Sequence, residues 1–136
     1  MKKILISLLA AAMTLLCSCA TSPKANILIV SENGGHHKPF TDAAISWLDS
    51  VSTSRGLTVT VINNMNNVNA DFLKGFDAVI QLDFPPYTWP EAAQDAFTEY
   101  IEKGLGGYVG FHHTTLLGDF DGYPMWEWFS NFMGGI

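Results

Sequence analysis

The sequence predicts an α/β protein with a parallel sheet, and three observations indicate this fold class. Residues 26–31 contain four consecutive branched apolar residues, which is typical of a strand buried on both faces. From there onward, strand-like runs alternate with segments of helical periodicity. Glycine and proline stand at the boundaries between these segments. Strands that alternate with helices join through right-handed crossovers into one parallel sheet.

Each predicted element follows from its local pattern. Strands are predicted at residues 26–31, 57–62, 76–82 and 108–111. Two amphipathic helices are predicted at residues 39–55 and 90–103, each beginning at a proline and ending before a glycine. The apolar face that such a helix turns towards the core comprises Phe40, Ala43, Ala44, Trp47, Leu48 and Val51 in the first helix, and Ala93, Ala96, Phe97, Tyr100 and Ile101 in the second.

The segments between these elements are shorter and more polar. Residues 63–69 contain five asparagines and are predicted to be a loop. Residues 71–75 are predicted to form one helical turn, and the aromatic-rich residues 125–133 to form a last helix. We see neither an internal repeat nor a second domain, so residues 26–136 are interpreted as one domain.

The first 18 residues resemble a bacterial lipoprotein signal peptide. Lys2 and Lys3 supply positive charge, and the apolar segment of about 13 residues that follows is too short for a membrane span of about 20 residues. Cys19 follows Ser18, a small residue of the kind that precedes a modified cysteine. We predict cleavage before Cys19, a tether at residues 19–25, and a lipid-anchored protein on the periplasmic or cell-envelope face. An ordinary cleaved signal with incidental cysteines is the alternative.

This cleavage would restrict the chemistry and the partners of the mature chain. Cys19 would be the one remaining cysteine, and because acylation occupies its thiol we expect no disulfide, thiolate metal site or cysteine nucleophile. The 118 remaining residues suffice for one domain. Without Lys2 and Lys3, five basic residues face 13 acidic ones, a net charge of −8. Such an acidic chain has no basic patch, which argues against nucleic acid as a partner.

All four histidines follow predicted strands, and a carboxylate follows another. His36 and His37 come after the first strand, Asp83 after the third, and His112 and His113 after the fourth. Ligands of open parallel sheets bind beyond the carboxyl ends of the strands. With the strand order 2-1-3-4, these three strands are neighbours and their loops converge on one cleft. Imidazole in such a cleft suits acid/base chemistry near neutral pH, and also metal binding.

Aromatic residues near these loops are candidate platforms for a ligand, namely Tyr87, Trp89 and Trp126. Several alternatives stay open at this point. One histidine of each pair could be a solvated loop residue, Asp83 could cap a helix or form a turn, and Tyr87 and Trp89 could pack over the sheet edge. Trp126 and Trp128 are two residues apart and cannot share a helix face, so we expect one of them in the core.

Several stretches resemble the ThuA-like (trehalose utilisation) family, from about residue 26 to the last residue. They are Ile27-Leu-Ile-Val, Gly35-His-His, Phe76-Asp-Ala-Val-Ile, Glu99 to His112, Trp126-Glu-Trp and Gly134-Gly135. The resemblance implies a class I glutamine amidotransferase-like fold, which is a flavodoxin-like three-layer sandwich with a central parallel sheet. Because the family continues beyond such a Gly-Gly pair, it also implies a domain that is incomplete at its C-terminus.

This sequence differs from the glutamine amidotransferases after the fourth strand. Those enzymes carry a nucleophilic cysteine in a Gly-x-Cys-x-Gly turn, whereas Gly110-Phe-His112 places a histidine at the cysteine position. We therefore expect that this chain is not a thiol-dependent glutamine amidotransferase.

Two functions are compatible with these features. ThuA-like proteins are associated with disaccharide and keto-sugar metabolism, which suggests a carbohydrate-processing enzyme with a small carbohydrate ligand. His112 would then be the central acid/base or metal ligand, assisted by His36 or His37 and by Asp83, with His113 and the aromatic residues binding substrate. No cofactor motif is evident, and a divalent metal is the open alternative. The second function is a non-catalytic carbohydrate-binding or accessory lipoprotein.

Overall fold

The computed structural model describes residues 24–32, 34–115 and 122–134, and for His112 it describes the backbone alone. The predicted signal peptide, Cys19 and Gly135 lie outside the described residues. Within the described ranges, no helix combines the length and the apolar character needed to cross a membrane.

Four parallel strands form one sheet in the order β2-β1-β3-β4. They are β1 (Ala25–Val30), β2 (Leu57–Ile62), β3 (Ala78–Gln81) and β4 (Gly107–Gly110). β1 is central, because Ile27 lies opposite Val59 of β2 on one side and Ala78 of β3 on the other. The predicted parallel α/β fold and its strand order are therefore confirmed. The carboxyl ends of β1, β3 and β4 are neighbours, as the predicted cleft requires.

In the described part of the chain, four helices connect and follow the strands. They are α1 (Lys38–Arg55), α2 (Ala70–Leu73), α3 (Glu91–Glu102) and α4 (Glu127–Met133). The 3₁₀ turns Gly35–His37, Pro86–Thr88 and His112–Thr115 follow β1, β3 and β4, respectively. α1 has Pro39 in its first turn and ends at Gly56, whose φ of 67° suits glycine. The Asn69 side chain caps α2 by accepting a hydrogen bond from the Phe72 N–H at 2.9 Å.

The helices cover both faces of the sheet. On one face, Leu28 and Val79 pack in a buried cluster with Phe97 of α3 and Phe129 of α4. On the other face, α1 contacts β2 and borders a groove whose far wall includes Ile80 of β3 and Val109 of β4. The alternation of side chains along each strand therefore separates the two layers. The core lies mainly on the face of α3 and α4, where Phe97 and Phe129 are fully buried.

The apolar face predicted for α1 is only partly covered. Phe40 and Trp47 are 45% and 63% exposed, whereas the buried residues of this helix are Thr41 and Ser52. Both hydroxyls donate to backbone carbonyls one turn earlier, which allows their burial. Phe40 and Trp47 instead border an apolar groove of about 440 Å³ whose other wall includes Val109. Helical spacing identifies an apolar face but does not determine which element covers it.

The expectation that one of Trp126 and Trp128 lies in the core is wrong, because both are half-buried against the core and neither is fully buried. Their rings stack with centroids 5.4 Å apart and an interplanar angle of 29°. Trp126 stands just before α4 with φ −98° and ψ 88°, so the rule for helix faces does not apply to it. Both rings pack at the rim of the core, and Phe129 is the fully buried residue of this segment.

Candidate functional site

The loops after β1, β3 and β4 meet at the carboxyl edge of the sheet. The strand order reverses its direction between β1 and β3, which is the position where open α/β sheets bind ligands. His37, Asp83 and His113 line one cavity of about 250 Å³ there. A second cavity of about 230 Å³ shares His37 and His113 and adds His36. We define the histidine cleft by His37, Asp83 and His113.

His37 and His113 make direct contact across this cleft. Nε2 of His37 and Nδ1 of His113 are within hydrogen-bond distance, although the two residues are 76 positions apart. The rings meet edge to face, with centroids 4.3 Å apart. When both imidazoles are neutral, one donates its N–H and the other accepts it. The pair can therefore hold a proton between two loops of the site.

The other two histidines have different positions. His36 is exposed at the mouth of the cleft, with its ring centroid 5.8 Å from that of His37. His112 begins the 3₁₀ turn that directly follows β4. The structure therefore brings together one histidine from each predicted pair.

Asp83 holds the loop that carries His36 and His37. Its side chain is 1% exposed, and its two oxygens accept hydrogen bonds from the Glu32 and Gly34 N–H groups, both at 2.9 Å. Gly34 also permits the close approach of the Phe84 ring, because a Cβ atom at position 34 would lie 2.5 Å from that ring. Both carboxylate oxygens are thus engaged by backbone donors. In this arrangement Asp83 acts as a positioning residue.

Glu32 was not a candidate in the sequence analysis, and it lies next to the histidine cleft, where its backbone N–H binds Asp83. Its Oε2 accepts a hydrogen bond from Nε1 of Trp89 at 3.1 Å. Burial raises the pKa of Glu32 to about 7, while the Trp89 hydrogen bond opposes the rise and the charge of Asp83 adds to it. A carboxyl with such a pKa exchanges protons near neutral pH. Glu32 follows the carboxyl end of β1, where open α/β sheets bind ligands. This position in the sequence could have identified Glu32 as a candidate.

The predicted aromatic platforms lie outside the linings of the two cavities. Trp89 is 3% exposed and packs edge to face on Phe97, with centroids 5.4 Å apart. Tyr87 is 7% exposed and is stacked under Tyr123 at 4.6 Å. Trp126 is half-buried and stacks on the core. Next to these residues, the ring of Tyr123 is 39% exposed, and no sequence pattern singled it out.

The described side chains contain no group of three or more histidine, cysteine, aspartate or glutamate residues arranged to hold a metal ion. The histidine cleft brings two imidazoles together, and the nearby Asp83 oxygens are engaged by backbone donors. A divalent metal therefore stays a prediction.

Comparisons with known proteins agree with the architecture. The model of a family described as "ThuA: Trehalose utilisation" matches residues 26–136. A crystal structure of a ThuA-like protein from Bacteroides uniformis ATCC 8492 is similar, with a TM-score of 0.73 and 28% sequence identity. The match covers 88% of this chain and 47% of the other, so the chain spans about half the length of that protein. No curated protein matches the chain.

Proposed function

Since this chain belongs to the ThuA (trehalose utilisation) family, we propose that it is an exported, lipid-anchored protein that processes a small carbohydrate in the histidine cleft. The substrate class is a disaccharide or a keto-sugar. The observation that carries the proposal is the contact of His37 with His113 at the point where the strand order reverses. Two loops far apart in sequence thus bring two imidazoles to the edge at which open α/β sheets bind ligands.

The chemistry of the cleft supports acid/base work on a neutral substrate. Imidazole exchanges protons close to neutral pH, and abstracting or donating a proton at a sugar hydroxyl or beside a keto group needs such a group. Glu32 is a further proton-exchanging group on the same loop. His112 directly follows β4 and stays the proposed central acid/base of this chemistry. Asp83 keeps the β1 loop in place by binding its backbone.

A site that binds a sugar ring needs an apolar surface as well as polar groups. Tyr123 offers an outward ring face, and Tyr87 beneath it contacts Phe84, which lines the cleft. We assign stacking against the sugar ring to Tyr123. Tyr87 packs against the inner face of Tyr123, and Trp89 and Trp126 pack against each other beside the core. A small carbohydrate would then lie between this aromatic surface and the two imidazoles.

The test is turnover of keto-disaccharides by the full-length protein and four single variants. Removing a general acid or base typically costs 10²–10⁴-fold in rate, so His112→Ala, His37→Ala and His113→Ala should each lower kcat by about 100-fold or more. His36→Ala is the matched control, because His36 is exposed beside His37 and should leave kcat within about twofold. Equal loss in all four variants would contradict the assignment to the cleft.

The second candidate function is a protein that binds a carbohydrate without converting it. Both Asp83 oxygens are engaged by backbone donors, which leaves one acid fewer for catalysis and favours this second function. Sugar binding followed by tryptophan fluorescence would then survive the loss of His37 and His113, and no variant or wild-type protein would show turnover. That result would identify a non-catalytic carbohydrate-binding lipoprotein.

A further inference from the structure

A separate cavity of about 530 Å³ lies at the carboxyl end of β2, on the other side of β1 from the histidine cleft. This volume is within the range of small-molecule sites, about 300–1,000 Å³. Three asparagines of the loop after β2 line it, namely Asn63, Asn64 and Asn67. We call this cavity the asparagine pocket. It accounts for the asparagine-rich loop, to which the proposed function gives no role.

The carboxamides of the pocket are partly organised and partly available. Nδ2 of Asn64 donates to Oδ1 of Asn63 at 2.8 Å, and Oδ1 of Asn64 accepts the Asn66 N–H at 3.0 Å. These two bonds orient the Asn64 side chain. Neither bond uses the amide hydrogens of Asn63, which can therefore donate to a ligand. Asn67 makes no side-chain hydrogen bond within the described part of the chain. The pocket therefore presents both donors and acceptors to a ligand.

The remaining walls of the pocket are apolar or uncharged. Ile45, Val61 and Phe72 supply apolar surface, and no ionisable side chain is among the lining residues. The neighbouring groove shares Ile45 and Val61, and there Asp42 and Asp49 add negative charge. An anionic ligand would lose water without gaining a cationic partner, which is unfavourable. The lining therefore selects an uncharged ligand with many hydroxyl groups and one apolar face.

We propose that the asparagine pocket is a second carbohydrate-binding site, selective for a neutral monosaccharide unit. A carboxamide offers a donor and an acceptor side by side, which matches two vicinal hydroxyls, and the apolar wall receives the C–H face of the ring. The inference rests on the proposed function for its ligand class. Ser31 lines this pocket and the next residue, Glu32, is bound to Asp83, so the end of β1 separates the two sites.

The experiment titrates the full-length protein with glucose and trehalose while the side-chain amide signals of the asparagines are followed by NMR. We expect shifts at Asn63 and Asn67 on addition of either sugar. Loss of one hydrogen-bonding group costs about 1 kcal/mol, so Asn67→Ala should weaken binding about fivefold. Asn66→Ala is the matched control, because only the backbone of Asn66 is used in the loop, and it should bind as the wild type does.

Several results would overturn the inference. They are no binding of either sugar at millimolar concentration, equal affinity of Asn67→Ala and wild type, and tighter binding of glucose 6-phosphate than of glucose.

The same measurements distinguish a failure of this inference from a failure of the proposed function. Amide shifts without keto-disaccharide turnover would support the pocket and contradict the enzyme, whereas turnover that needs His37 with unchanged asparagine signals would do the reverse.

Discussion

Asp83 shows how one buried carboxylate organises the candidate site. It lies at the end of β3, yet its two oxygens bind backbone N–H groups of the loop after β1. That loop carries His36 and His37 towards the turn that contains His113. Because the carboxylate joins two neighbouring strand ends, the position of an imidazole depends on a residue that need not touch a substrate.

Asp83→Asn should destabilise the protein. An asparagine side chain has one acceptor oxygen, so either the Glu32 or the Gly34 N–H loses its partner in a buried position, at a cost of about 1–3 kcal/mol. Urea unfolding monitored by circular dichroism measures this change. Asp42→Asn is the control, since Asp42 forms an exposed pair with Lys38 on α1 and its loss should cost less than about 0.5 kcal/mol. Equal midpoints for the two variants would refute the positioning role.

Glu32 makes the stability of the protein depend on pH. Burial raises its folded-state pKa to about 7 from the ordinary value of 4.5, so between these values the folded protein binds more protons than the unfolded chain. The contribution of Glu32 to stability therefore falls as pH rises through this window. Glu32→Gln removes the titration and keeps an oxygen that can accept from Trp89.

The stability of Glu32→Gln relative to wild type should thus increase between pH 4.5 and pH 7.5, by about 1–3 kcal/mol. Denaturant unfolding at several pH values provides the measurement. Glu91→Gln, at an exposed position in the first turn of α3, should show no such gain. A constant difference between Glu32→Gln and wild type across the window would show that Glu32 titrates as an ordinary glutamate.

At the scale of elements, the turn between α3 and β4 depends on a close approach at Gly106. A Cβ atom there would lie 1.7 Å from the Tyr100 hydroxyl and 2.7 Å from the Asp77 carbonyl oxygen. Tyr100 is buried, and its hydroxyl donates to the Phe76 carbonyl at 3.0 Å. The glycine therefore lets the end of α3 pack against the segment that leads into β3.

Gly106→Ala should destabilise the fold by about 1–3 kcal/mol, because Tyr100 must move and its hydrogen bond is strained or lost. The next residue provides the control. A Cβ atom on Gly107 meets no atom within 4 Å, so Gly107→Ala should change stability by less than about 1 kcal/mol. Thermal unfolding of both variants compares them directly, and a larger effect at Gly107 would contradict the packing argument.

For the whole molecule, we expect membrane attachment to depend on lipid rather than on surface charge. Beyond the predicted cleavage position, five basic residues face 13 acidic ones, and anionic headgroups repel such a chain. Acyl chains contribute about 0.8 kcal/mol per buried CH₂ group and supply the attraction that the acidic surface lacks. Binding of this kind persists at high salt, because it does not arise from charge.

Cys19→Ser should move the protein from the membrane fraction to the soluble fraction, and incorporation of radiolabelled palmitate should disappear. Cys17→Ser is the matched control and should keep both the label and the membrane location. Fractionation in 1 M salt measures attachment without electrostatic contributions. Membrane location of Cys19→Ser equal to that of wild type would exclude Cys19 as the anchor.

The sequence by itself determined the fold class and the family. Local patterns identify both the apolar run from Ile27 to Val30 and the alternation of strands with helices. These patterns depend on neighbouring residues, so they are visible in the sequence alone. The same patterns predicted that loops bearing His36, His37, Asp83 and the histidines after β4 meet at one edge, because parallel strands place their carboxyl ends together.

Only the tertiary structure decided which groups touch. The contact of His37 with His113 joins residues 76 positions apart, and no spacing rule specifies the direction of either ring. Burial of Trp89 and the shifted pKa of Glu32 likewise depend on atoms from distant segments. Local sequence determines what each segment can form, whereas register and packing between segments determine which side chains are buried, paired or open to a ligand.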